Sequence, residues 1–232
     1  MQTVILAGGL GTRLWPLTKE TPKPMVPVRG VPYLEHQLRR LAQQGITNIV
    51  MLTGYLGDQI EDYFGEGHRL GLNIRYSREL QPIGTGGALR DARRLLDDIF
   101  LIIYGDSYLP IDYVLAAQQL KDSHATGLVV VYRDETGETS VRPNIALDAN
   151  GLVTKYDKQA VGDPALQYIE AGVLAFRRSV LDLMPEEGVV SLEQQIFPQL
   201  IVRKQLLGFP TSQRFYDIGT PERLREIESV FK

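Results

Sequence analysis

A chain of 232 residues, 44% hydrophobic and 23% charged, can bury one large core but is too short for two ordinary domains and a linker. A formal net charge of −3 excludes a generally basic, nucleic-acid-binding surface, and the absence of cysteine excludes disulfides and thiolate metal sites. Met1-Gln2-Thr3-Val4-Ile5-Leu6 lacks the basic and apolar regions of a signal peptide, and no apolar run reaches membrane-spanning length. The expectation is a cytoplasmic protein with neither a membrane nor a nucleic acid as partner. Short β-branched or apolar runs at 3–7, 47–52, 72–76, 99–104 and 127–132 alternate with helix-like stretches at about 31–44, 56–64, 85–96 and 111–121,. This βαβα rhythm predicts a mainly parallel sheet covered by helices on both faces, with an active site in the loops beyond the C-terminal strand ends. Beyond residue 127 strand-like runs at 143–148, 152–156 and 168–176 follow one another, with a turn signal at Ala149-Asn150-Gly151,. They predict a smaller, partly antiparallel addition. Helix returns at 191–202, where Ser191 and Gln194 have capping-box spacing, and closes the chain at about 221–231 behind Thr220 and Pro221,.

The first strand runs into Leu6-Ala7-Gly8-Gly9-Leu10-Gly11-Thr12-Arg13-Leu14-Trp15-Pro16, followed by Pro22-Lys23-Pro24. Three glycines allow a sharp turn that brings several N–H groups to a phosphate, and Arg13 and Lys23 add positive charge, so this loop reads as a polyphosphate cradle. It is not a dinucleotide motif, because the third glycine would fall on Leu14 and Pro16, Pro22, Pro24 and Pro27 forbid an immediate crossover helix. No Gly-Lys-Ser/Thr closes a P-loop either,. The buried run Phe100-Leu101-Ile102-Ile103-Tyr104 delivers Gly105-Asp106-Ser107 to a strand end, which makes Asp106 a metal candidate. Asp217 precedes Ile218-Gly219-Thr220-Pro221 and reads either as a second ligand or as a helix-start residue,. His36, His68 and His124 are scattered and read as structural or surface residues.

The segment Gly8-Gly9-x-Gly11-Thr12-Arg13-Leu14-x-Pro16-Leu17-Thr18, with Pro22-Lys23-Pro24-Met25, Pro27, Gly30-x-Pro32 and Leu34-Glu35-His36, resembles the signature of the sugar-phosphate nucleotidyltransferases. Within them the chain is most similar to the short heptose-1-phosphate guanylyltransferase and muramate-type uridylyltransferase groups. The resemblance implies an α/β, Rossmann-like three-layer α/β/α fold with a mixed, mainly parallel sheet. It also implies a single domain over 1–232, with a nucleotide-binding half at 1–125 and a sugar-phosphate-binding half at 126–232. Leu6, Ala7, Gly8, Gly9, Gly11, Thr12 and Arg13 would then wrap a nucleoside triphosphate. Arg13, Lys23 and Asp106 would be catalytic, and Asp106 with Asp217 would hold magnesium, which suits hard oxygen ligands. Gln81 and Gly86, in the loop Glu79-Leu80-Gln81-Pro82-Ile83-Gly84-Thr85-Gly86-Gly87, would read the nucleobase; an amide both donates and accepts and does not decide which base.

Tyr156-Asp157-Lys158 resembles the family's aromatic-x-Glu-Lys-Pro element, with Asp157 for Glu and Gln159 for Pro. Tyr168-Ile169-Glu170-Ala171-Gly172 resembles an Asn-Ala-Gly element with Glu170 for Asn. Asp157, Lys158 and Glu170 are therefore the expected sugar-phosphate contacts. The implied reaction is in-line attack of a sugar-1-phosphate oxygen on the α-phosphorus of the triphosphate, with release of pyrophosphate. Two readings stand beside it: the same chemistry on a non-sugar phosphate such as phosphocholine, or a catalytically silent nucleotide-binding regulator. Nucleobase, sugar and oligomeric state, including any homo-oligomer, are left open.

Overall fold

The computed structural model describes residues 1–231. Its centre is a seven-stranded sheet built from β1 (Gln2–Ala7), β2 (Asn48–Thr53), β3 (Asn73–Arg78), β4 (Ile99–Tyr104), β5 (Gly127–Tyr132), β6 (Ile169–Arg177) and β7 (Leu206–Thr211). The spatial order is β7-β5-β6-β4-β1-β2-β3. All strands run in one direction except β6, which is antiparallel to β4 and β5.

Successive side chains of a strand face opposite sides, so strands covered on both faces are apolar throughout. Ile5, Met51, Leu101 and Ile103 pack on one side with Leu34, Leu38 and Leu41 of α1 (Tyr33–Gln43), Ile60 and Phe64 of α2 (Gly57–Phe64), and Ala116 and Leu120. Val4, Val50, Phe100 and Ile102 pack on the other with Leu89 of α3 (Gly84–Asp91) and with Leu192, Ile196, Phe197 and Leu200. Ala116 and Leu120 belong to α4 (Tyr113–Asp122), whose N-terminus Asp112 caps by accepting from Val114 and Leu115 N–H,. The result is the expected mixed, mainly parallel three-layer fold.

Three features depart from the sequence pattern. The run at 168–176, expected in the antiparallel addition, lies inside the main sheet as β6; the addition is the pair Ile145–Leu147 with Val153–Tyr156. Strand β7 is absent from the pattern because Gly208 and Pro210 disguise it. Proline is tolerated there since β7 lies at the sheet edge,. The helix at 191–202 opens as a π turn, Leu192–Ile196, and becomes α5 at Phe197–Val202. Pro198 has no N–H to donate, which breaks the regular ladder. Ser191 Oγ still accepts the Gln194 N–H at 3.2 Å, but the reciprocal bond is donated by the Ser191 N–H to Gln195 Oε1, at 2.8 Å. The last helix, α6 (Pro221–Val230), follows Thr220, whose hydroxyl accepts the Arg223 N–H, and Phe231 beyond it stacks on His36 with ring centroids 4.0 Å apart.

Strand ends position the site. The Gly105 N–H donates to Leu6 O at 2.9 Å, and a Cβ on Gly105 would lie 2.7 Å from that oxygen. Only glycine lets the β4 end approach the β1 end this closely. Ser107–Tyr108 then pairs antiparallel with Tyr216–Asp217, placing Asp217 opposite Ser107, and the Ile218 N–H donates to Asp106 O at 3.0 Å.

Candidate active site

Beyond β1 the chain turns at Gly11, with φ +64°, into a short 3-10 turn at Thr12–Leu14. A Cβ on Gly11 would sit 3.1 Å from Lys23 Cβ, so the positive φ and the close approach both call for glycine. Buried Thr18 donates its hydroxyl to Gly11 O at 2.8 Å and pins the loop. A 3-10 turn over Lys23–Met25, framed by Pro22 and Pro24, holds Lys23 in a buried position where its ammonium reaches Asp106 Oδ2 at 2.5 Å.

These groups surround a cleft of about 440 Å³. Leu6, Ala7, Gly8, Gly9, Gly11, Thr12, Arg13, Lys23 and Asp106 all line it, together with Tyr104, Glu79, Pro82 and Thr85. The two base-reading candidates do not. Gln81 is exposed and outside the lining, and Gly86 is buried under the chain at Val190, to whose carbonyl its N–H donates at 2.8 Å. Gly84 has φ +79° and its Cβ would lie 2.4 Å from Val190 O; that of Gly86 would lie 2.7 Å from Val190 Cγ1. Gly84 and Gly86 therefore have a packing reason, close approach of the 189–190 segment, that sequence alone does not disclose.

A second cleft of about 290 Å³ opens beside the first and shares Arg13, Tyr104 and Asp106 with it. Lys158, Glu170, Asp217 and Arg223 line it. Glu170 is buried; its Oε2 accepts from Tyr156 Oη at 2.7 Å and pairs with Lys158 Nζ at 3.0 Å, and its Oε1 has no protein partner. Asp157, expected among these contacts, lies outside the cleft: its Oδ1 accepts the Gln159 and Ala160 N–H groups and shapes the turn that follows Tyr156. Asp217 Oδ2 pairs with Arg223 at 2.7 Å, and its Oδ1 accepts the Gly219 N–H at 2.7 Å. It is thus both a helix-start carboxylate and a cleft residue.

Burial alone would raise the Asp106 carboxyl, but the Lys23 charge and hydrogen bond, aided by Ser107 and Arg13, hold it below the usual carboxylate range,. Burial would lower the Lys158 ammonium, but Glu170 and the more distant Glu193 and Asp106 raise it, so it stays cationic. Glu193, unforeseen in the sequence, accepts hydroxyls from Tyr104, Thr85 and Ser191; burial would raise its carboxyl, but the Tyr104 bond, its own backbone N–H, the Lys158 charge and the Ser191 bond hold it below the ordinary value. Tyr104 is thereby locked at the junction of the two clefts. Glu193 and Arg223 carry no local motif, and Glu79, Tyr104 and Tyr156 lie in segments singled out for other residues; only the fold brings them together.

The donor set around Asp106 and Asp217 is carboxylate oxygen, with no histidine among the cleft-lining residues. Asp106 at the junction of the two clefts and Asp217 in the second offer hard carboxylate oxygens, a donor type that fits a magnesium-type cation completing its shell with phosphate oxygens and water,. No group of three or more acidic or histidine side chains that could hold a metal ion by itself is present among the described residues.

A glycine cradle joined at Arg13, Tyr104 and Asp106 to a second cleft that holds Lys158 and Arg223 suits a nucleotidyltransferase, which brings two phosphate compounds together. Residues 2–231 match the nucleotidyl transferase family, and the chain belongs to that family, whose members generally use a divalent metal. It is 34% identical over 227 residues to a mannose-1-phosphate guanylyltransferase of Mycobacterium tuberculosis, covering 96% of this chain and 62% of that protein. It is 30% identical over 234 residues to the D-glycero-alpha-D-manno-heptose 1-phosphate guanylyltransferase of Aneurinibacillus thermoaerophilus, covering 98% and 97%. The chain thus spans about six-tenths of the first relative and almost all of the second. A crystal structure of HddC from Yersinia pseudotuberculosis complexed with GMP-PN matches with TM-score 0.84 at 26% identity, covering 100% of this chain and 99% of that one.

Proposed function

We propose that this chain is a sugar-1-phosphate guanylyltransferase, converting GTP and a hexose- or heptose-1-phosphate to a GDP-sugar and pyrophosphate. The observation that carries the reading is the pair of clefts joined at Arg13, Tyr104 and Asp106. One binding site would serve a nucleotide-binding regulator; two that meet at a carboxylate serve group transfer. The guanine and the sugar are supported by relatives named for mannose-1-phosphate and heptose-1-phosphate guanylyl transfer, and by the likeness to a structure complexed with GMP-PN.

In this reading the loop N–H groups and Arg13 hold the triphosphate, while Lys158 holds the acceptor phosphate and Glu170 Oε1 accepts from a sugar hydroxyl. Residues 1–125 supply most of the nucleotide site, and 126–232 most of the acceptor site. The acceptor oxygen attacks the α-phosphorus and pyrophosphate leaves in line. A phosphate monoester has its second pKa near ~6 and is largely dianionic at neutral pH, so no general base is required. The barrier is electrostatic: two anions must approach and charge builds on the leaving pyrophosphate, which Arg13 and Lys23 counter. Asp106 and Asp217 would hold magnesium, which when bound supplies further positive charge to the phosphates. No helix among the described residues is long and apolar enough to cross a membrane, which fits a cytoplasmic enzyme. The test is a matrix of four nucleoside triphosphates against a panel of sugar-1-phosphates and phosphocholine, read as pyrophosphate release. GTP with mannose- or heptose-1-phosphate should dominate; release with phosphocholine alone, or with no acceptor, would contradict the reading.

A further inference from the structure

We infer that Gln37 is a positioning residue for the reaction: its amide fixes the turn that carries Asp106 and so sets how tightly the cation is held. The inference rests on the reading of Asp106 as a cation ligand and adds a residue that lines neither cleft. Helix α1 packs on the sheet through Leu34, Leu38 and Leu41, and by helical spacing position 37 falls on the same face. Gln37 is only 2% exposed there. An apolar side chain would be buried at that position without penalty, whereas glutamine brings an amide that needs partners.

Those partners are found for one end of the amide only. Gln37 Nε2 donates to Tyr104 O at 3.0 Å and also to Ser107 O. Both partners are carbonyls, which only accept, so the NH2 group and not the amide oxygen must face them. Oε1 is left buried with no protein partner. An unmade bond at a buried acceptor destabilises the fold. A polar residue kept on an apolar helix face at such a cost breaks the local pattern, and functional positions are where real proteins break it.

The two carbonyls stand on either side of Gly105-Asp106. Between them the Gly105 N–H is tied to Leu6 O at 2.9 Å, and Asp106 O accepts the Ile218 N–H at 3.0 Å. The turn is thus held from three directions: by the end of β1, by the segment that leads into α6, and twice by Gln37 from α1. The Asp106 carboxylate, which meets Lys23 at 2.5 Å and the Ser107 hydroxyl at 3.3 Å, is placed only as well as this backbone is. Removing the amide would leave two inward carbonyls without their donor and let the turn shift, and small displacements of a reacting group are costly.

The test is a Mn2+ titration in the presence of α,β-methylene-GTP, read by water proton relaxation, on wild type, Gln37→Met and Asp106→Asn, with urea unfolding run alongside. Met keeps the volume and removes both donors. Gln37→Met should bind Mn2+ about 10- to 100-fold more weakly, the range seen when a bond behind a metal ligand is lost. Its turnover should accordingly saturate at higher Mg2+ than wild type requires, so that added metal recovers rate. Gln37→Asn keeps the amide on a stem one methylene shorter; it should change in the same direction and gives the reading if Gln37→Met does not fold. Wild-type Mn2+ affinity and Mg2+ dependence in a folded Gln37 variant, with only the urea midpoint moved, overturns the inference and makes Gln37 a packing residue. Unchanged Mn2+ affinity in Asp106→Asn overturns the cation reading itself and the inference with it.

Discussion

At the scale of single residues, the two carboxylates thought to share a cation are each already held by a protein cation, Lys23 on Asp106 and Arg223 on Asp217. Replacing either with Asn keeps shape and removes charge. Turnover with magnesium should be abolished in both variants while circular dichroism stays native; a near wild-type rate in either would remove that residue from the cation site. Arg13→Ala should lower kcat on the order of 10²-fold, the cost of losing a partner to transition-state charge, and a change confined to KM would make Arg13 a ground-state contact. Lys158→Met keeps the stem's packing but strips from buried Glu170 the cation paired with it. KM for the sugar-1-phosphate should rise strongly while triphosphate affinity, measured by titration without acceptor, stays within about threefold. Equal weakening of both ligands would move Lys158 to the nucleotide. The cluster Arg13, Lys23, Asp106, Lys158, Glu170 and Asp217 is legible in the sequence because each member sits in a contiguous motif at a strand end or helix start. Glu79, Glu193 and Arg223 are not, because a carboxylate or guanidinium gains meaning only from what the fold sets beside it.

At the scale of elements, the turn into α3 depends on the 189–190 segment as much as on any ligand. Gly84→Ala would combine a positive φ with a Cβ 2.4 Å from Val190 O, and should cost about 1–3 kcal/mol of stability as judged by urea unfolding. Stability equal to wild type would show that the loop relaxes freely. A second element-level device is Glu35, buried on α1, which binds Arg39, Arg69 and Tyr63 and so ties α1 to α2 and to the turn His68–Leu70. Burial would raise its carboxyl, but these hydrogen bonds outweigh burial and hold it at about 2. A depressed folded pKa stabilises above the unfolded value, near 4.5, and is lost as pH falls toward about 2. Glu35→Gln should therefore cost roughly 2–3 kcal/mol at pH 7, where an ion-pair network loses its anion. That difference should shrink below pH 4.5 and be nearly gone by pH 2; an equal difference at both ends would show that the carboxylate charge is not what stabilises. The pattern Leu34-Glu35-His36 marks this stretch in the sequence, yet nothing local shows Glu35 facing Arg69, since the contact depends on how α1 meets the turn after α2.

At the scale of the molecule, the sheet explains why so much of the architecture is readable and where reading stops. Alternating buried runs and helices fix the parallel strands, because a strand covered on both faces must be apolar throughout. They leave open the place of an antiparallel strand, so β6 looks peripheral in the sequence although it lies between β4 and β5 and carries Glu170 into the second cleft. The insertion of β6 beside β4 is what sets the second cleft against the glycine cradle, and group transfer between a nucleotide in the one and an acceptor in the other is the central claim. The direct measurement supplies GTP labelled with 32P at the α or the γ position, together with mannose- or heptose-1-phosphate, and follows both labels. The α label should appear in the GDP-sugar and the γ label in pyrophosphate, in equal amounts and only when acceptor is present. Transfer of the γ label to the sugar phosphate, or release of α-labelled GMP without acceptor, would contradict it.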